Sequence, residues 1–365
     1  MRTILTAALF ASTLSLVACG EDTPAPQAPP PAPPPPATAE ATPPPPPADT
    51  TPPPAAKPSL SDMMTASIKN VTDALNGHDP AKYAAVFAPD GVVKQGGQPD
   101  ISGRDAIAAD IKNLFTAFPD LKFAFSRAMW KGNMGVSTWD WNGTDTGGFM
   151  GAKPTNRPVG VSGATVAIYN DDGLIKELHI YDDQANVMQQ LDPKAKKGSF
   201  RAPPTLATQI ETVSAGGPDE DKNLAAGKAM YQMLDDHKVK DLCAAMASND
   251  AAIDDYSMPV GFKGSKGCSD YINGFVKAMP DFHSQPLANQ VAIGPYLVSE
   301  GVVQGTNKGP MGPIKATGKP VNLHFIDIVQ LKDGKVTHIS SYANGFELLT
   351  QLGVIKAPAA PSAAK

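Results

Sequence analysis

The stretch Glu177-Leu178-His179-Ile180-Tyr181-Asp182-Asp183, followed by Gln190-Leu191, has a counterpart further along. It is His338-Ile339-Ser340-Ser341-Tyr342-Ala343-Asn344, followed by Gln351-Leu352. A period of two reads as a β-strand, and side chains two apart share a face. The recurrence extends outward in both directions. Phe118-Pro119-Asp120 matches Met279-Pro280-Asp281, and Gly143-Thr144 matches Gly305-Thr306. Gly148-Phe149-Met150-Gly151 matches Gly309-Pro310-Met311-Gly312. Asn156-Arg157-Pro158-Val159 matches Gly318-Lys319-Pro320-Val321, and Asp172-Gly173 matches Asp333-Gly334. Residues 61 to 192 and 222 to 355 are therefore one module written twice, each of single-domain length.

Within the first copy the period changes along the chain. Ser61 is placed to cap a helix carrying Met64, Ile68, Val71 and Leu75 at helical spacing, up to Gly77. Tyr83 to Phe87 reads as a second short helix. Ser102 is placed to cap a third, with Ile107, Ile111, Leu114, Phe115 and Phe118 on its apolar face and Pro119 at its end. Alternation then takes over at Leu121, Phe123 and Phe125, and again at Val159, Val161, Val166 and Ile168. Asn170-Asp171-Asp172-Gly173 is a turn between two strands. Helices followed by an antiparallel meander give an α+β fold.

The ends of the chain read as addresses. Met1-Arg2, an apolar stretch from Ile4 to Ala18, and Leu16-Val17-Ala18-Cys19 resemble a bacterial lipoprotein signal. The resemblance implies a signal peptide over 1–18 and export, with Cys19 as the lipidated N-terminus. That lipid would seat the protein in a bilayer of the cell envelope. Gly20, rather than Asp, after the cysteine favours the outer membrane. An ordinary secretory signal with an incidental Cys19 is the alternative. From Thr23 to Pro58 half the residues are proline. Such a stretch buries no core and reaches about 100 Å at about 3.1 Å per residue. Residues 19–60 read as a disordered linker, 193–221 as a second linker and 356–365 as a frayed tail.

Net charge is −5 without a basic stripe, which gives nucleic-acid binding no support. No Cys-x-x-Cys or His-x-x-x-His spacing suggests a metal, and no cofactor is implied. Beyond Cys19 the cysteines are Cys243 and Cys268, both in the second copy. They stand opposite apolar positions of two helices, Ala84 and Ile107, and read equally as a disulfide or as buried thiols.

The segment from Glu177 to Leu191 is similar to the SnoaL-like polyketide cyclases of the NTF2-like superfamily. In that family Glu-x-Trp-x-Tyr-x-Asp precedes a Gln-Leu-Gly. Gly143-Thr144-Asp145-Thr146-Gly147 resembles the family's Gly-Thr-His-x-Gly. The likeness covers nearly all of the first copy, and Gln351-Leu352-Gly353 extends it to the second. It implies two tandem cones, each a curved antiparallel sheet around helices, enclosing an apolar pocket. It also implies that the general base stands at Asp183. Such a base, desolvated by aromatic walls, takes a proton from carbon next to a carbonyl. Asp183 or Asp182 can equally cap the following helix. Asp145 stands where the family often has histidine, which weakens the cyclase reading. His179 replaces the common Trp; four residues along a strand is about 13 Å, too far for a direct pair with Asp183. With Tyr181 and Phe115, the tryptophans Trp139 and Trp141 are candidate walls for a flat apolar or aromatic ligand. They are equally candidates for core packing.

The second copy has Asn344 opposite Asp183, Ala343 opposite Asp182 and Asn307 opposite Asp145. It has no tryptophan; Trp130, Trp139 and Trp141 all belong to the first. Amides have no basic form near neutral pH. NTF2-like domains commonly pair through their sheets, so a tandem chain can form that pair internally as a pseudo-dimer. Three readings stay open: a cyclase or isomerase acting through the first copy, a tethered binder of a small apolar or aromatic molecule, and a structural scaffold.

Overall fold

A computed structural model describes residues 58–246 and 248–356. The apolar leader, Cys19, most of the proline-rich stretch and the last nine positions lie outside the described residues.

The first helix, α1 (Leu60–Asn76), begins two residues after Pro58, where the proline stretch ends. Its cap is Ser59 rather than Ser61. The Ser59 side chain accepts from the Asp62 N–H while the Asp62 carboxylate takes the Ser59 N–H. An acid three residues on makes Ser59 the better cap. Asp79 caps α2 (Pro80–Ala85), where Pro80 sits in the first turn. This helix ends before Phe87, which opens β1 (Phe87–Gln95). A short β2 (Ile101–Ser102) leads to α3 (Arg104–Ala117). Gly103 stands at its N-cap with no side-chain cap bond, so Ser102 is not the cap. Ser102 is held instead in the ladder opposite Val92.

The meander follows as β3 (Lys122–Lys131), β4 (Met134–Thr144), β5 (Pro158–Tyr169) and β6 (Ile175–Asp182). The turn at Asn170–Gly173 forms as the residues imply: the Asn170 side chain accepts the Asp172 and Leu174 N–H groups, and Gly173 takes φ 72°. Helix α4 (Gln184–Leu191) closes the domain. The segment from 193 to 221 contributes to the same sheet. Its β7 (Glu211–Ser214) pairs parallel with β3, giving the order β2-β1-β6-β5-β4-β3-β7. Register shifts within β3, at the end of β5 and within β1 bend the sheet around the helices.

The second domain repeats this plan. Helices α5 (Glu220–Asp235) and α6 (Val239–Cys243) precede β8 (Ala252–Asp255) and β9 (Phe262–Lys263). Then come α7 (Gly264–Ala278), β10 (His283–Ser284), β11 (Asn289–Ile293) and β12 (Tyr296–Thr306). The domain ends with β13 (Pro320–Lys332), β14 (Lys335–Ala343) and α8 (Gly345–Gln351). Cys243 and Cys268 are disulfide-bonded, with Cα atoms 5.6 Å apart, tying α6 to α7.

Each sheet turns one face to its own helices. The other faces meet. Met129, Val136, Ala164, Val166 and Tyr181 pack with Ile293, Tyr296, Val298, Ile326, Ile328 and Tyr342 in one buried cluster. Fully burying an aliphatic side chain is worth about 1.5–3 kcal/mol, so this shared layer is a large part of the stability of both domains. The connecting segment straps the joint. Glu211 takes a bond from the Tyr296 hydroxyl at 2.8 Å and pairs with Arg127 at 2.8 Å. Both domains fall in one compact unit.

Candidate functional site

Between its helices and the concave face of its sheet, domain one encloses a cavity of about 370 Å³. Leu75, Ile111, Phe123, Trp139, Trp141 and Leu178 are among its walls. The two tryptophans share a face of β4, as their spacing requires, and that face is the inner one. Phe118 packs on Trp141 at 5.0 Å between ring centres, and Phe123 on Trp139 at 5.7 Å. Gly163 lies across the ladder from Trp139. A Cβ on Gly163 would stand 2.3 Å from the Trp139 ring, so only glycine lets the indole lie flat on the strand.

The parity argument for β6 holds, but the faces are reversed. Leu178, Ile180 and Asp182 point into the cavity. Glu177, His179 and Tyr181 point to domain two. Asp183, expected as the pocket base, is the N-cap of α4 and is 4% exposed. Its Oδ1 accepts the N–H of Ala185 at 3.0 Å and, across the domain boundary, that of Gly345 at 3.0 Å. The physical reason lies in the apolar pattern. Leu178 and Ile180 drive their face inward, and a one-residue shift in parity exchanges every side chain.

The carboxylate in the cavity is Asp182. Its Oδ1 accepts from Gln95 Nε2 at 2.5 Å. Burial raises its pKa to about 6, against the lowering effect of the Gln95 bond. Asp110 also lines the cavity, from an exposed position. Gln98 and Gln184 join across the rim at 2.6 Å.

The other candidates are elsewhere. Asp145 is fully buried and holds a loop together. Its Oδ1 accepts from Gly148 and Phe149 N–H, both at 3.0 Å; its Oδ2 accepts from Thr155 N–H at 2.9 Å and the Thr155 hydroxyl at 2.8 Å. Asn307 does the same with Thr317 in domain two, so this aspartate-to-asparagine difference concerns a loop. Phe115 is buried in the core, where it stacks on His78 at 5.0 Å. Tyr181 donates its hydroxyl to Glu300 of domain two at 2.6 Å.

His179 belongs to the same joint. Its Nδ1 meets Glu300 Oε1, and its Nε2 meets Glu177 Oε1 at 2.5 Å. Lys94 bonds Glu177 at 2.7 Å, and Asn289 bonds Glu300 at 2.6 Å. Burial works against a charged imidazole, but Glu300 and Glu177 outweigh it and raise His179. These groups form a polar seam between the sheets, not a wall of the cavity.

Domain two is built differently inside. Across its ladder Gly301 faces Phe325, the reverse of Trp139 facing Gly163. Large and small have exchanged strands, and Leu287 packs against Gly301. Asp327 stands at the position of Thr165, and its carboxylate takes the Tyr231 hydroxyl at 2.6 Å. Asp255 stands at the position of Gln95 and takes the Tyr271 hydroxyl at 2.9 Å. Burial raises both aspartates, Asp327 to about 6. The comparison of copies missed these acids because it followed Asp183 and Asp145. A search for acids on the inward parity would have found Asp182, Asp255 and Asp327.

Two tandem α+β domains of this kind are repeats of one family fold. The chain matches the model for SnoaL-like polyketide cyclase over residues 66–191 and again over 225–352. It belongs to the SnoaL-like polyketide cyclase family, in two tandem domains. No curated protein matches it. Among solved structures it is similar to a protein of Jannaschia sp. CCS1, provisionally named a SnoaL-like polyketide cyclase. That match has 19% identity and a TM-score of 0.35, over 38% of this chain and 97% of the other. IdmH from Streptomyces antibioticus, provisionally named a polyketide cyclase, is 23% identical with a TM-score of 0.32, over 35% and 97%. TsrD from Streptomyces laurentii is 18% identical with a TM-score of 0.33, over 36% and 95%.

Proposed function

We propose that domain one holds a small apolar or aromatic molecule and that Asp182, not Asp183, is its proton acceptor. The observation that carries this reading is a half-buried carboxylate, bonded to Gln95, in a largely apolar cavity whose walls include Trp139 and Trp141. A carboxyl group with a pKa of about 6 is mostly ionised at neutral pH and more basic than an exposed one. It suits removal of a proton from carbon next to a carbonyl, as an aldol-type cyclisation or an isomerisation requires. The Gln95 amide holds the carboxylate's orientation. Native mass spectrometry of the full chain after exposure to cell-envelope extract is the test. A retained mass that exchanges carbon-bound hydrogen in D2O, and stops exchanging in Asp182→Asn, is expected. No retained mass, or exchange that survives Asp182→Asn, would remove the reading.

The scaffold role falls to domain two. Its inward acids are paired with Tyr231 and Tyr271, and Phe325 stacks on Tyr231 at 6.2 Å between ring centres. The buried layer between the sheets supports an internal pseudo-dimer, which light scattering would test by a monomeric mass. The exported, lipid-anchored placement through Cys19 also stands as a proposal. The Cys243–Cys268 disulfide supports it, because oxidising compartments retain such bonds. Palmitate labelling that is lost in Cys19→Ala is the expected result, and unchanged labelling would overturn it.

A further inference from the structure

The Gln95–Asp182 pair is flanked on both sides by residues held from domain two. Gly96 follows Gln95, and its carbonyl accepts from Asn344 Nδ2 at 3.0 Å. Asp183 follows Asp182, and its Oδ1 accepts from Gly345 N–H at 3.0 Å. Glu347, only 3% exposed, lies under the turn between them. A Cβ on Gly97, which has φ 78°, would stand 2.8 Å from Glu347 Cβ; a Cβ on Gly96 would stand 2.5 Å from Glu347 Oε2. His324 holds that carboxylate, with the ring 2.8 Å away and its N–H at 3.1 Å. The two glycines thus leave room for domain two to reach the cavity rim.

We propose that Asn344 and Gly345 of domain two position the Gln95–Asp182 pair of domain one. The inference rests on the reading of the cavity as a ligand site and adds the requirement for the second domain. It also accounts for the amide that replaces an acid in the second copy. Asp183 needs only to accept, taking Ala185 and Gly345 N–H on one oxygen. Asn344 must do two things. Its Oδ1 caps α8 by accepting Phe346 N–H at 3.0 Å, while its Nδ2 donates to Gly96 O. A carboxylate at 344 would keep the cap and turn an oxygen against a carbonyl. The asparagine is a positioning residue whose donor fixes the backbone beside Gln95.

The full chain is titrated with 1-anilinonaphthalene-8-sulfonate from about pH 4 to about pH 8, spanning the carboxylate range. Energy transfer from the tryptophans, all in domain one, reports occupancy of its cavity. Affinity for this anion falls as Asp182 ionises. Asn344→Asp keeps the cap and loses the donor; Asn344→Ser caps but is too short to reach Gly96 O. In both, the affinity drops about tenfold or the pH midpoint moves by about one unit, the loss expected for one displaced bond. Tyr296→Phe loosens the joint at Glu211, away from the rim, and leaves the midpoint unchanged. An unmoved midpoint and affinity in both Asn344 variants overturn the proposal. An equal change in Tyr296→Phe overturns it too, because loosening anywhere would then suffice. Failure of the parent chain to bind the probe is a separate result, which removes the cavity reading itself before any variant is compared.

Discussion

Asp182→Asn should stabilise the protein while removing the proposed base. The folded pKa of Asp182 is about 6, raised by burial from an unfolded value of about 3.9. A carboxyl raised on folding is penalised wherever it is charged. The penalty is absent below about pH 3.9, grows as pH rises through the window, and is complete above about pH 6. At about 1.36 kcal/mol per pH unit it reaches about 3 kcal/mol. Asparagine is isosteric and its Oδ1 still accepts from Gln95 Nε2, so little else is lost. Losing the charge also eases Asp183, whose pKa burial raises and the neighbouring Asp182 charge raises further. The expected gain is about 2–3 kcal/mol at about pH 8 and close to zero at about pH 4. Urea denaturation of both proteins at the two pH values, followed by tryptophan fluorescence, measures it. A loss of stability at the higher pH, or an equal change at both, would refute a carboxylate whose desolvation outweighs its bond to Gln95.

Three further outcomes follow from the packing. Removing the Cys243–Cys268 bond, by reduction or by serine at both positions, should lower stability by about 3.5 kcal/mol for a separation of 25 residues; a calorimetric scan with and without reductant would check this. Asp145→Ala should cost about 3 kcal/mol through four lost bonds to a carboxylate, yet leave probe binding in the cavity intact. Lost binding at unchanged stability would return Asp145 to the site. Gly163→Ala should cost about 1–3 kcal/mol by pushing on Trp139, and should cost less when made in a Trp139→Gly chain. Additive losses would mean that the two positions do not share space.

Of the expected site residues Trp139 and Trp141 line the cavity, and the error on β6 was one of direction. Period and residue type place Trp139 and Trp141 on one face and Glu177, His179, Tyr181 and Asp183 on another. Period does not say which face is inside. The pattern Leu178-x-Ile180 carried that information, since apolar side chains on β6 line the cavity. The polar face misled because it is also buried, under the other sheet. His179 and Tyr181 look like pocket residues for that reason, and Glu300, their partner, comes from the other domain.

The sequence by itself determined that there are two copies of one α+β module and which residues share faces. These follow from local chemistry: helical and strand periods, turn residues and proline. Only the tertiary structure decided that Asp182 faces the cavity, that Asp183 and Asn344 face the joint, and that domain two holds the rim of domain one. Those facts depend on which sheet face meets the helices and which meets the other sheet. The contacts that decide this, such as Asn344 with Gly96 or His179 with Glu300, join residues more than a hundred positions apart. No local pattern records them.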